Sequence, residues 1–154
     1  MIIFLAFPLH ADDQPALVSF KVMALETAQQ LAQATLDDCR KKGYQVAVSV
    51  VDRFGTVQVT LRDRFPGVHT PETAWHKAWT AISFRTDTIT MWEQTKTGTT
   101  ASGFRFVRDA LMTGGGVPVK AAGSIVGGID VSGAPGGNID DECVRKSIES
   151  IANL

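Results

Sequence analysis

The stretch Val46-Ala47-Val48-Ser49-Val50-Val51-Asp52, Arg53-Phe54-Gly55, Thr56-Val57-Gln58-Val59-Thr60-Leu61-Arg62-Asp63 decides the architecture. Its first segment is apolar on both faces, the pattern of a strand with neighbours on each side. Its last segment alternates, with Val57, Val59 and Leu61 on one face and Gln58, Thr60 and Arg62 on the other. Two such runs joined by a short glycine-containing turn predict an antiparallel hairpin.

Working outward, Leu25 to Lys42 reads as a helix. Leu25, Ala28, Leu31, Ala32, Thr35 and Cys39 recur at three- and four-residue spacing, and Gly43 is a stop after the basic turn Arg40-Lys41-Lys42. Downstream, Thr70-Pro71-Glu72 reads as a helix start with Thr70 as the cap, running to about Arg85. A short helix is expected over Ile89 to Lys96, then a long loop from Gly98 to Gly116. Val117 to Ala121 and Ser124 to Ser132 form a second hairpin turning at Ala122-Gly123. Asn138 to Leu154 closes the chain as a helix with Ile139, Cys143, Ser147, Ile148 and Ile151 inward. Strands in hairpins, interleaved with helices, predict an α+β fold with helices packed on an antiparallel sheet.

The 154 residues carry a net charge of −1 and are 44% hydrophobic, which suits one domain with one core. That balance argues against binding nucleic acid through a basic face. No apolar run approaches a membrane span. Met1 to Ala11 reads either as the end of an export signal lacking its basic region or as an N-terminal strand or arm. The domain proper is therefore expected over residues 12–154. Cys39 and Cys143 are too few for a disulfide scaffold. They read as two buried helix cysteines, or as one bridge if the protein is exported.

No phosphate loop, HExxH, CxxC or GxSxG motif occurs. Three histidines remain: His10 in the N-terminal run, His69 on a loop, and His76 on a helix. At about 100° per residue, His76 falls at the edge of the apolar arc formed by Ala74, Trp75, Ala78, Trp79, Ala81 and Ile82. It reads as a structural histidine or as a ligand facing a pocket. Trp75, Trp79, Trp92 and Phe84 read as core, or as the wall of a pocket for a flat ring. Arg62 and Lys77 could hold an acidic ligand, helped by backbone N–H groups around Gly133 to Gly137. Eleven of the 14 glycines lie between Gly98 and Gly137, which points to close backbone approach. Pro118 restricts its strand to an edge or to its own start.

Three segments together, VVDRFGTVQVTLRD (50–63), TAWHKAWTA (73–81) and the run from Gly114 to Ile151, resemble the GlcG/HbpS-like family of haem-binding and haem-degrading proteins. The likeness covers Leu25 to Leu154. It is most specific at Gly115-Gly116-Val117-Pro118 and at Gly128-Ile129-Asp130-Val131-Ser132-Gly133, followed by Asp140-Asp141-Glu142-Cys143. The resemblance implies a profilin-like fold and assembly of dimers to octamers. It also implies a protein that sequesters haem and assists its degradation, a binder rather than a dedicated enzyme; the N-terminal run makes it periplasmic or secreted if that run is an export signal, and cytoplasmic if it is not. Its haem site would draw on His76, Lys77, Trp79, Arg62, Gly115, Gly116, Pro118 and Gly133, with His76, or less favourably His69, on the iron. Some relatives carry an iron-ligating histidine in the first helix; Leu25 to Lys42 contains none. Two other readings stand beside this one: a module for small organic acids of glycolate-type metabolism, and an oligomeric sensory or structural protein.

Overall fold

A computed structural model describes residues 16–151. The N-terminal export reading lies outside these residues, as does the end of the last predicted helix. The elements run α1 (Leu25–Lys41), β1 (Ala47–Asp52), β2 (Val57–Arg62), α2 (Thr70–Phe84), α3 (Thr88–Gln94), β3 (Val117–Ala121), β4 (Ser124–Ser132) and α4 (Gly137–Ser150). A short 3-10 turn, Ser102–Phe106, interrupts the long loop. The four strands form one antiparallel sheet in the order β2-β1-β4-β3. The α+β expectation is borne out. β1 is central, as its two apolar faces require, and Pro118 sits on edge strand β3.

Strand alternation sorts the side chains into two layers. Val48, Val50, Val59, Val117, Val119, Ile129 and Val131 face α1 and α4 in the main core. Val51 faces α2 in a smaller cluster with Ala78 and Ile82. α2 lies close because Gly128 has no Cβ: one built there would come within 2.7 Å of Ile82 and 3.1 Å of the Ala78 carbonyl.

Several expectations need correction. Thr70 opens α2 rather than capping it, and its hydroxyl donates to the Gly67 carbonyl at 2.8 Å. Leu25 is exposed, because the chain is only entering α1 there. The inner stripe of α4 runs through Asp140, Asp141, Cys143, Val144 and Ser147 rather than through Ile139. Trp75 and Trp79 are only half-buried and Trp92 is exposed, since small residues of α2 occupy the contact with the sheet. The two cysteines, both wholly buried, form a disulfide joining α1 to α4 with Cα atoms 5.6 Å apart.

Candidate functional site

His76 and Lys77 are adjacent on α2 and project in different directions. Lys77 turns inward and is 1% exposed. Its ammonium donates to the Gly114 carbonyl at 2.8 Å, the Val131 carbonyl at 2.6 Å and Asp140 Oδ2 at 3.1 Å. Asp130 Oδ1 lies 3.2 Å from the same nitrogen. An ammonium has three protons, and the three hydrogen bonds use them. Asp130, wholly buried on β4, thus lies against the Lys77 ammonium while neither of its oxygens receives a hydrogen bond. Burial pushes the Asp130 carboxyl well above the usual carboxylate range, against the pull of Lys77. Burial raises Asp140 as well, again opposed by Lys77. Asp140 Oδ1 also accepts from the Ala134 backbone at 3.1 Å, tying the entry of α4 to the cluster.

The glycine-rich entry to β3 seals this cluster. A Cβ on Gly115, whose φ is +123°, would lie 2.5 Å from Asp130 Oδ1 and 2.7 Å from the Lys77 nitrogen. One on Gly116 would strike the Lys77 carbonyl at 2.4 Å. Gly114 packs against Gly137 in the same way. These contacts explain why only glycine fits the run.

His76 is half-buried on the outer side of α2. Its Nδ1 lies 2.9 Å from the Asp109 carbonyl, and its Nε2 lies 3.5 Å from Glu72. A carbonyl accepts only, so Nδ1–H donates to it, while Nε2 faces the Glu72 carboxylate. The Trp75 ring lies beside it, 4.4 Å between centroids.

The remaining predicted residues do not gather around His76. Gly115 and Gly116 meet Lys77 instead. Trp79 packs on the Gly55 turn. The Arg62 guanidinium donates to the carbonyls of Asp63, Arg64 and Pro66, and Gly133 packs near Pro66. Pro118 lines a cleft of about 430 Å³ with Arg85, Lys120 and Arg145. His69 is exposed before α2. A joint acid-binding role for Arg62 and Lys77 finds no shared surface: one is exposed and holds its own loop, while the other is buried with its protons used.

Sequence reasoning missed Asp130 and Asp140 as partners of Lys77. The available signal was a lone acid in the apolar strand Ile129-Asp130-Val131. It also missed an apolar cleft of about 500 Å³ lined by Phe20, Val22, Met23, Ala24 and Val126, with Lys21 at its wall. That cleft lies between the segment before α1 and the β3–β4 hairpin, a pairing that no local pattern announces. Among the described residues, no cluster of three or more His, Cys, Asp or Glu could hold a bare metal ion, and no helix is long and apolar enough to cross a membrane.

The fold superposes on the crystal structure of a double mutant of HbpS from Streptomyces reticuli with a TM-score of 0.83. The two are 33% identical, and the match covers 96% of this chain and 98% of the other. A PduOC–haem complex matches with a TM-score of 0.77 at 25% identity, covering 84% of this chain and 94% of that one. The corrinoid adenosyltransferase PduO of Salmonella typhimurium is 29% identical over 128 residues, 82% of this chain. The match spans 37% of that relative's length. Residues 23–149 match the family described as haem-degrading protein HbpS-like, and with the HbpS likeness this shows that the chain belongs to the HbpS-like family.

Proposed function

We propose that this protein binds and sequesters haem, with His76 Nε2 as the iron ligand. The carrying observation is the bond between His76 Nδ1 and the Asp109 carbonyl. It anchors the ring through Nδ1 and leaves Nε2 on the more open side, the second-shell arrangement a metal-bound imidazole uses; Glu72 beside Nε2 would have to give way to the iron. Trp75 offers a flat apolar neighbour. The PduOC–haem complex shows that a chain of this fold takes up haem. Bound haem would supply the redox chemistry, and with it any degradation; the protein supplies ligand and surroundings.

A visible titration with haemin tests this. The wild-type chain should give a shifted Soret band at saturable stoichiometry, and His76→Ala should lose the shift or bind at least about tenfold more weakly, as expected when a ligand bond is removed. The absence of any Soret shift in the wild type overturns haem binding. An unchanged shift in His76→Ala removes His76 from the iron.

The apolar cleft before α1 favours a second seat for the ring, with Lys21 placed for a carboxylate. In that case Val22→Asp abolishes the shift and His76→Ala does not. The buried Cys39–Cys143 disulfide supports an exported location, where such bonds persist. Phe65, Val68 and Phe106, exposed by 79%, 92% and 90%, supply apolar surface for a homo-oligomer.

A further inference from the structure

The Lys77–Asp130–Asp140 cluster has no part in haem binding as proposed, and it contains an anomaly. A carboxyl with 0% exposure and no hydrogen bond on either oxygen is rare in a folded protein. The Lys77 nitrogen, itself buried, lies 3.2 Å from Oδ1. A second carboxylate, Asp140, stands 3.1 Å from that nitrogen on its own element, α4. The three side chains come from three packed elements, and the backbone of Gly115 closes over them. A nucleophile, an acyl group and a base are thus held dry, in contact and without freedom to part, the condition under which proximity most accelerates a condensation.

We propose that Lys77 and Asp130 condense into an intramolecular isopeptide bond, with Asp140 as the base. Asp140 takes one proton from the Lys77 ammonium. The freed lone pair attacks Cγ of the Asp130 carboxylic acid, forming the N–C bond as the carbonyl pair moves to oxygen. When the tetrahedral centre collapses, its hydroxyl leaves with the second nitrogen proton as one water. The third proton stays on the amide, and Asp140 remains as a neutral acid. No oxidant, metal or cofactor is consumed. Burial raises both carboxyls, which favours the acid form of Asp130 and makes Asp140 a stronger proton acceptor, while Lys77 opposes both shifts. The product replaces buried charges with a neutral amide, removing a desolvation penalty that ion pairing only partly offsets.

Intact-mass spectrometry of the reduced, denatured chain is the test. The folded wild type should weigh one water less than its sequence. Proteolysis should then yield one branched peptide joining the Lys77 and Asp130 segments, with no cleavage after Lys77. Asp130→Asn should still cross-link but lose one ammonia instead. Asp140→Asn, which preserves shape, should stay at full sequence mass. A wild type at full mass, or a lost water located elsewhere than between Lys77 and Asp130, overturns the proposal. Cross-linking that persists undiminished in Asp140→Asn overturns the role of Asp140.

Discussion

His76 and Lys77 share a backbone and differ by about 100° of helix rotation, and that angle separates their environments. The position of His76 at the edge of the apolar arc was legible from spacing. The inward course of Lys77 was less so, because a lysine is read as solvated by habit. Yet Lys77 lies within about 60° of Ala74 and Ala81, both wholly buried, so the wheel placed it on the sheet face. Its acceptors could not be read: Gly114 and Val131 contribute carbonyls that any residue possesses. The cluster also has a pH signature. Burial raises the folded-state pKa of Asp140 above its ordinary 3.8, so the folded chain holds that proton more tightly than the unfolded one. The associated stability is full below the unfolded value and is lost as pH rises through the folded one. As pH rises from about 4, the Tm of the wild type should therefore decline relative to Asp140→Asn, and parallel melting curves would reject the assignment.

At the level of elements, helix ends separate what was readable from what was not. α1 ends with Gly43 at φ +84°, its N–H donating to the Arg40 carbonyl at 2.8 Å, as the glycine after a basic turn predicted. α2 ends on the same left-handed geometry with Arg85 at φ 55°, where no glycine marks the stop. A side chain with a Cβ is strained there, and the exposed Arg85 side chain forms none of the described hydrogen bonds. Arg85→Gly should stabilise the protein by about 0.5–1 kcal/mol, the relief of strain less the greater freedom of an unfolded glycine. Urea denaturation measures it, and a loss of stability would show that the Arg85 side chain holds the cap. Both hairpins were legible because alternation and turn residues coincide. The turn Ser102–Phe106 was not, since so short a 3-10 segment has no period to detect.

For the molecule as a whole, the order of elements was enough to predict sheet and helices, and the two faces of β1 located its centre. The partition into a core under α1 and α4 and a smaller one under α2 followed only from register, which fixes which face each strand side chain takes. Sequence left two readings for the cysteines, because helices far apart in the chain declare no partner. Their bridge spans 104 residues and so restrains the unfolded state strongly. Replacing both cysteines by alanine should lower the unfolding free energy by about 4–5 kcal/mol on the chain-entropy account. Equal stability in the presence and absence of reductant would exclude that restraint.

The same bridge closes the chain between Cys39 and Cys143 into a covalent ring. Every strand, both helices between them and the whole of the glycine-rich segment lie inside it. A protease that nicks the surface loop at Gly98 to Gly103 therefore opens the ring without releasing a piece. The two halves travel together as one particle until a thiol reaches the buried sulfurs between the first and last helices.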